Sequence, residues 1–232
     1  MIVGNGLLAR AFAPRFADDP SVTIFASGVS NSMETRASAF ERERRLLEET
    51  IAQESRPVVY FGSCGVADKA ETLTPYMKHK LAMEALVVAS PGGRVLRLPQ
   101  VVGSTHNPHT LTNYLRDRII AGEAFSVWGR AERNLIGIED IYAIATVLLE
   151  DRPREPAVLS IAAASSTPMP EIVAIFERVL QRRANCTIED RGQALTIDSR
   201  RAVAVAAGLG IDLGPGYAER LIRKYYGPQQ CA

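Results

Sequence analysis

The sequence predicts an α/β protein built on a doubly wound parallel sheet, with a smaller α/β lobe towards its C-terminal end. Short apolar runs typical of buried strands alternate with amphipathic helical segments along most of the 232 residues. A glycine-rich turn joins the first of these strands to the first helix. Because 47% of the residues are hydrophobic, a chain of this length can bury a complete core.

The N-terminal part contains three strand–helix steps. Residues 1–4 (MIVG) are a predicted buried strand, and residues 5–16 are an amphipathic helix. The next segments are a strand at 21–27, a charged helix at 36–54, a strand at 56–63 and a helix at 74–89. Thr74 is the predicted N-cap of this last helix, and Pro75 is its first residue.

The rest of the chain continues the alternation. Its predicted elements are a strand at 93–103, a helix at 110–121, strands at 125–128 and 134–138, a helix at 139–150, a strand at 157–162 and helices at 170–182 and 216–226. We therefore predict a sheet domain over residues 1–103, completed by segments around 134–162. Residues 104–133 and 163–232 form the second lobe.

Composition and charge exclude several classes of function. The formal net charge is +1 and the basic residues are spread along the chain, so no nucleic-acid partner is indicated. Cys64, Cys186 and Cys231 are far apart, which predicts neither a disulfide framework nor a metal site. No segment is long enough to cross a bilayer, and the apolar N-terminal run lacks the basic start of a signal peptide. We expect a cytoplasmic protein that binds a small molecule.

The first turn, residues 4–9 (GNGLLA), fits the pattern G-x-G-x-x-G/A between a strand and a helix. Glycines there let the backbone approach a pyrophosphate, and the helix N-terminus supplies free N–H groups. The turn predicts a Rossmann-like dinucleotide site; the alternative is a tight turn in an ordinary α/β domain. An acid for the adenosine ribose is expected about 20 positions on, but the second strand runs into Ala26, Ser27 and Gly28.

Tyr76 and Lys80 form a Tyr-x-x-x-Lys pair on one helix face, in a chain with only four lysines among its 27 basic residues. A free phenol has a pKa near 10, and a nearby ammonium lowers that pKa by stabilising the phenolate. Ser63, at the end of the neighbouring strand, is placed to hydrogen-bond a reacting oxygen. His79 is expected to face elsewhere on the helix. The alternative interpretation is a packed tyrosine beside a solvated lysine.

These motifs follow one another in the order of a known family. The turn GNGLLA, the strand VVYFGSCGV, the helix PYMKHKLAME and the strand LRLPQVVG precede AFSVWGRAERNLIGIEDIYAIATVLL, LSIAAASSTPMPEIVAIF and TIDSRRAVAVAAGL. The chain thereby resembles the extended short-chain dehydrogenase/reductases, in particular the nucleotide-sugar epimerase/dehydratase group. The resemblance implies NAD or NADP as cofactor, with Tyr76 as general acid/base, Lys80 as its modulator and cofactor anchor, and Ser63 as the orienting donor.

The same resemblance implies binding residues and partners. The cofactor-binding residues it implies are Gly4, Asn5, Gly6, Leu7, Leu8, Ala26, Ser27, Gly28, Tyr76, Lys80, Pro99 and Val101. It implies Cys64, Asn113 and Arg133 as substrate-binding residues, with Arg133 contacting the diphosphate of a nucleotide sugar. The helices at 36–54 and 74–89 correspond to those that pair across a two-fold axis in the family, which implies a homodimer.

The chain departs from the family in the spacing of its motifs. Members usually separate the glycine turn from the serine by about a hundred residues or more, whereas Gly4 and Ser63 leave room for one intervening strand. Because a βαβ unit takes about 30 residues or more, roughly two strand–helix units are absent. The strand at 21–27 then corresponds to the fourth strand of the parent fold, and the adenosine half of the pocket is cut away.

The residues after Ser63 reduce the number of reaction types that the resemblance allows. Sugar 4,6-dehydratases of this family place acids directly after the hydroxyl residue of this strand, whereas here Cys64 and Gly65 follow. Elimination is therefore disfavoured, and epimerisation or keto-sugar reduction remains. The competing hypothesis is a non-redox protein on the same fold, either a nucleotide-binding sensor or scaffold or a cofactor-independent isomerase.

Overall fold

The computed structural model describes residues 1–67, 73–151 and 155–228. It divides into two compact units, a first unit of Met1–Leu98 and Ile141–Ile161 and a second unit of Pro99–Asp140 and Ala162–Ala232. The elements in chain order are β1 (Ile2–Val3), α1 (Leu7–Phe16), β2 (Thr23–Phe25), α2 (Ala37–Gln53), β3 (Val58–Ser63), a 3-10 turn (Cys64–Ala67), α3 (Pro75–Ala89), β4 (Arg94–Leu98), β5 (Gln100–Val102), α4 (Leu111–Ala121), β6 (Phe125–Trp128), β7 (Glu132–Arg133), β8 (Leu135–Gly137), α5 (Ile138–Glu150), β9 (Val158–Ser160), β10 (Thr167–Pro168), α6 (Met169–Leu180), β11 (Cys186–Glu189), α7 (Arg200–Gly208) and α8 (Tyr217–Tyr226).

The first unit is a parallel five-stranded sheet in the order β1-β2-β3-β4-β9. Strand β1 lies at one edge, where Ile2 is opposite Ile24 of β2. This order is the one expected when two strand–helix units are missing between β1 and β2, because the parent order places two further strands beyond the first. The central strand β3 is buried from Val58 to Gly62, as a sheet covered by helices on both faces requires. Buried side chains shared by the sheet, α2 and α3 include Phe25, Leu47, Tyr60, Met83 and Val87.

The chain leaves this sheet at Pro99. A single strand over 93–103 was predicted, but β4 ends at Leu98 and β5 begins at Gln100. Proline has no N–H to donate to a ladder and interrupts the strand. Strand β5 then pairs with β8 in the second unit. The segment around 134–138 therefore does not complete the central sheet, whereas β9 does. The unit boundaries were predicted after residues 103 and 133, and they fall before Pro99 and after Asp140.

The second unit contains, in its described residues, three two-stranded pairs and four complete helices. Strands β5 and β8 are parallel, as are β6 and β11, while β7 and β10 are antiparallel. Helices α6 and α8 pack against each other, with the ring centres of Phe176 and Tyr226 5.2 Å apart. The hydroxyl of Tyr217 on α8 accepts a hydrogen bond from Gly137 N and donates one to Asp140. These contacts tie the last helix to the segment that opens α5.

The described residues contain free thiols but no candidate membrane span or metal site. No helix among them is both long and apolar enough to cross a membrane. Within the same ranges, no group of histidine, cysteine, aspartate or glutamate side chains is placed to hold a metal ion. Cys64 and Cys186 are free thiols, and Cys231 lies outside the described residues.

Candidate active site

Gly4 is required by the path of the backbone at the end of β1. Its φ of +124° is unfavourable for residues with a side chain, and a Cβ there would lie 2.5 Å from the carbonyl oxygen of Ala26. Ala26 N donates to the carbonyl oxygen of Val3, which holds the ends of β1 and β2 together. The first glycine of the turn is thus explained by strand contact alone.

Gly6 has the property expected of a phosphate-binding glycine. It is the N-cap of α1 in extended conformation, and a Cβ at this position would meet no atom within 4 Å. No side chain caps the helix, and its first turn, which begins with Leu7 and Leu8, contains no acid. Arg10 Nη1 donates to the carbonyl oxygen of Asn5 at 3.1 Å and brings a positive charge to the same turn. This end of α1 can accept an anionic group.

Ser63 and Tyr76 are brought together at the carboxyl end of β3. The predicted cap is present: the Thr74 hydroxyl accepts from Met77 N at 3.2 Å, and helix α3 begins at Pro75. Ser63 Oγ accepts a hydrogen bond from Gly65 N at 3.2 Å, and the Ser63 side chain lies near enough to Tyr76 to interact with its phenol. Sites in parallel α/β sheets lie at the carboxyl ends of strands, which is where this pair is found.

The acidity of Tyr76 differs from the expectation. Burial raises the pKa of Tyr76 to about 12, and the negative charge of Glu43 adds to this, while the nearby Ser63 side chain opposes it. Lys80 Nζ lies 5.8 Å from the centre of the Tyr76 ring. The lysine therefore stands where the motif places it, but it does not lower the pKa of the phenol.

Lys80 is instead held in a buried ion pair. Its ammonium donates to Glu43 Oε1 at 3.1 Å and to the Tyr60 hydroxyl at 2.7 Å, and the residue is 3% exposed. A Cβ on Gly28 would lie 2.8 Å from Lys80 Nζ, so a larger residue there would require the ammonium to shift. Burial lowers the pKa of Lys80, and the charges of Glu43 and Glu84 oppose that change.

Glu43, which the sequence interpretation missed, is the centre of this cluster. The carboxylate is completely buried and accepts from Val29 N at 2.6 Å and from the Tyr60 hydroxyl at 2.6 Å. His79 Nε2 lies 3.0 Å from Glu43 Oε2, so His79 faces the cluster rather than away from it. Burial opposes ionisation, but these partners and Lys80 outweigh it and lower the pKa of Glu43 to about 2.

A sequence signal for Glu43 does exist. Glu43, Leu47 and Thr50 are the buried residues of α2, and they recur at four- and three-residue intervals along one helix stripe. A glutamate on the apolar stripe of an amphipathic helix needs a buried partner, and lysine and tyrosine are the types that can supply one.

Cys64 does not have the position expected of a substrate-binding residue. The residue is 1% exposed, and its thiol lies near Ser160 inside the first unit. Burial raises the pKa of Cys64 to about 12. Ala26, Ser27 and Gly28, by contrast, directly follow β2 as expected.

The other predicted binding residues belong to the second unit. Pro99 precedes β5, and Val101 lies within it. Asn113 is buried on α4, where its amide donates to the carbonyl oxygens of Thr105 and Asn107 and its oxygen accepts from Tyr226. These bonds hold the loop before α4 against the helix, and the role of Asn113 in binding substrate stays a prediction. Arg133 is half-buried on β7, and its Nη1 donates to the carbonyl oxygen of Glu132 at 2.7 Å.

Several solved structures share this fold. MoeE5, solved in complex with UDP-glucuronic acid and NAD, matches with a TM-score of 0.67 and 21% identity over 87% of this chain and 76% of its own. The Thermus thermophilus UDP-glucose 4-epimerase complex with NAD matches with a TM-score of 0.67 and 15% identity over 94% and 79%. The Bacillus cereus UDP-glucuronic acid 4-epimerase, in complex with UDP-glucuronic acid and NAD, gives 0.65 and 13% over 96% and 77%. At these identities the likeness establishes the fold.

The family is established by sequence. A comparison with curated protein sequences finds no match. The model of the NAD dependent epimerase/dehydratase family, however, matches residues 10–162, which span most of the first unit and the start of the second. The predicted fold class and the predicted resemblance are both confirmed. The chain belongs to the NAD-dependent epimerase/dehydratase family.

Proposed function

We propose that the chain is an NAD(P)-dependent epimerase or keto-reductase acting on a nucleotide-linked sugar, with Tyr76 as general acid/base. The observation that carries the proposal is the proximity of three side chains at the carboxyl end of β3: Ser63 lies near Tyr76, and Lys80 Nζ is 5.8 Å from the centre of the Tyr76 ring. Solved proteins of the same fold are named as epimerases or contain a UDP-sugar and NAD. The substrate class and the cofactor are inferred from them.

The first unit offers a partial fit to a dinucleotide. Gly6 and the uncapped start of α1 would hold the pyrophosphate, since nothing occupies the space that a Cβ of Gly6 would take. Lys80 has three N–H donors, of which two bind Glu43 and Tyr60, so one remains for a ribose hydroxyl. No acid stands directly after β2, at residues 26–28, to bind the adenosine ribose. When bound, the nicotinamide would supply hydride exchange with a sugar carbon.

The protein groups then supply hydrogen bonds and the proton. Ser63 orients the reacting oxygen of the sugar, and Tyr76 transfers a proton to or from it. Because the pKa of Tyr76 is about 12, the phenol is protonated at neutral pH. That is the form that donates to a carbonyl oxygen, so keto-sugar reduction is the direction to assay first.

The second unit contributes Arg133 as the proposed contact for the diphosphate of the substrate, and Pro99 and Val101 as proposed cofactor contacts. We further propose a homodimer formed through α2 and α3. We also propose a cytoplasmic location, which the proposed substrate and the free thiols of Cys64 and Cys186 support.

One set of observations favours a non-redox alternative. Within the described part of the chain, the central sheet lacks the strands that normally flank β1, no acid stands directly after β2, and Lys80 is engaged by Glu43. A nucleotide-binding sensor or scaffold, or a cofactor-independent isomerase, would be compatible with all three.

Titration with NAD, NADH, NADP and NADPH separates the two functions. Calorimetry and nicotinamide fluorescence should show binding of at least one pair, followed by turnover with UDP-sugars or their keto derivatives. Absence of binding at millimolar concentration for all four, in protein that is folded by circular dichroism, would favour the alternative.

A further inference from the structure

Glu43 is a completely buried carboxylate, and such a group needs compensation for the loss of water. The compensation comes from three directions. Tyr60 on β3 donates to it, Lys80 and His79 on α3 lie against it, and Val29 N after β2 completes the set. Both carboxylate oxygens are therefore occupied by protein groups.

Lys80, Tyr60 and Glu43 form a closed ring of hydrogen bonds. The ammonium donates to the Tyr60 hydroxyl and to Glu43, and the Tyr60 hydroxyl donates to the same carboxylate oxygen. Such a ring fixes the position of the lysine nitrogen more firmly than a single contact does. It leaves the nitrogen 5.8 Å from the centre of the Tyr76 ring and next to the backbone of Gly28.

We propose that Glu43 is a positioning residue that keeps the Lys80 side chain charged inside the core and fixes its nitrogen beside Tyr76. An isolated buried ammonium would give up its proton readily, since burial disfavours the charged form. With Glu43 as its counter-ion, Lys80 keeps its charge and one free N–H for a ribose hydroxyl or for Tyr76. The catalytic part of this inference rests on the proposed function, whereas the charge state of Lys80 does not.

The other groups around the pair do not replace Glu43. Glu84 on α3 also attracts the Lys80 charge, but it is bound by Arg97 on β4 through three hydrogen bonds of 2.6 to 3.1 Å. Ser63 and Tyr60 on β3 are uncharged. Glu43 is therefore the only carboxylate among the described residues that directly contacts the ammonium.

The charge of Lys80 can be measured without any assay of activity. The chain has only four lysines, so ¹⁵N-lysine labelling gives few ammonium signals, and a Lys80→Arg variant assigns the one from Lys80. In Glu43→Gln protein we expect the midpoint of Lys80 deprotonation to fall by about one pH unit or more, a tenfold change in the protonation constant. Glu48→Gln, at an exposed carboxylate of the same helix, is the matched control and should leave it unchanged.

Two further variants guard against loss of folding. Glu43→Asp keeps the charge, so the midpoint of Lys80 deprotonation should stay close to its value in the native protein. If Glu43→Gln does not fold, the double variant Glu43→Gln/Lys80→Met should, because it removes both charges of the pair. A double variant as unfolded as the single one would overturn the proposal.

Activity provides an independent readout. The alkaline limb of kcat/KM should move to lower pH in Glu43→Gln and stay in place in Glu48→Gln. Two results would overturn the inference while leaving the proposed function standing. One is that Lys80 is uncharged at pH 7 in the native protein. The other is that the midpoint of Lys80 deprotonation is the same with and without the Glu43 charge. Failure of the native protein to bind any nicotinamide cofactor would do the reverse.

Discussion

Lys80 Nζ lies 3.1 Å from Glu43 Oε1, and both side chains are almost completely buried. The charge beside Tyr76 is therefore that of an ion pair and not that of a lone cation. A lone unit charge about 6 Å from the phenol would be worth about 3 kcal/mol at an effective dielectric constant of about 20. Because the carboxylate offsets most of this, burial decides the acidity of Tyr76 and its pKa stays high.

Tyr76→Phe should abolish most of the turnover while leaving the fold intact. Removing the hydroxyl eliminates the proton-transfer group, and general acid–base catalysis is worth about 100- to 10,000-fold in rate. The measurement is kcat with a UDP-sugar and the cofactor that binds, accompanied by thermal unfolding. Tyr114→Phe, at a partly exposed tyrosine of the second unit, is the control. Full activity in Tyr76→Phe would remove the residue from the proposed mechanism.

Gly6→Asp should weaken cofactor binding without destabilising the protein. Gly6 is the N-cap of α1 in extended conformation, where aspartate is a favoured cap and complements the helix dipole. The new carboxylate would, however, repel a pyrophosphate at the same place. We expect an affinity loss of about tenfold or more by calorimetry. Gly6→Asn, a neutral cap of the same shape, should lose much less, and equal losses would mean that charge is not involved.

Local signals account for what the sequence predicted of the first unit. Apolar runs and helical periodicity located the strands and α-helices of its described residues, but not the 3-10 turn Cys64–Ala67. These patterns reflect which face of an element is buried. Thr74 and Pro75 marked the start of α3 because capping involves residues close together in sequence. The meeting of Ser63 and Tyr76 followed from the family order of motifs rather than from either residue alone.

Long-range contacts account for what the sequence did not predict. The pairing of Glu43 with Lys80 joins α2 to α3, and periodicity alone gives no partner for a buried carboxylate. Cys64 was assigned towards substrate because it follows Ser63, but the 3-10 turn that begins there directs it into the core. The strand break at Pro99 was overlooked because the apolar residues continue on both sides of it.

The homodimer remains a prediction, and light scattering can test it. Val88 on α3 is 45% exposed although α3 already packs on the sheet and on α2. We expect a molar mass of twice that of the chain, and Val88→Glu should shift the equilibrium to monomer because it places a charge in an apolar interface. Ile120→Glu, at a residue of α4 exposed to 46%, should have no effect. A native monomer at micromolar concentration would contradict the prediction.

Glu43 should also make the stability of the protein depend on pH in the acid range. Its pKa is about 2 in the folded chain against an ordinary value of 4.5, so its stabilising contribution is complete above about pH 4.5 and is lost as the pH falls towards 2. By pH 3 the loss of stability should be about 2 kcal/mol.

Urea unfolding at pH 6 and pH 3 measures this loss in the native protein, in Glu43→Gln and in Glu48→Gln. The change in unfolding free energy between the two pH values is compared, because Glu43→Gln itself costs about 3 to 5 kcal/mol at either pH. The native protein and Glu48→Gln should share the steeper dependence, since both retain the buried carboxylate. An equally steep dependence in Glu43→Gln would show that other acids are responsible.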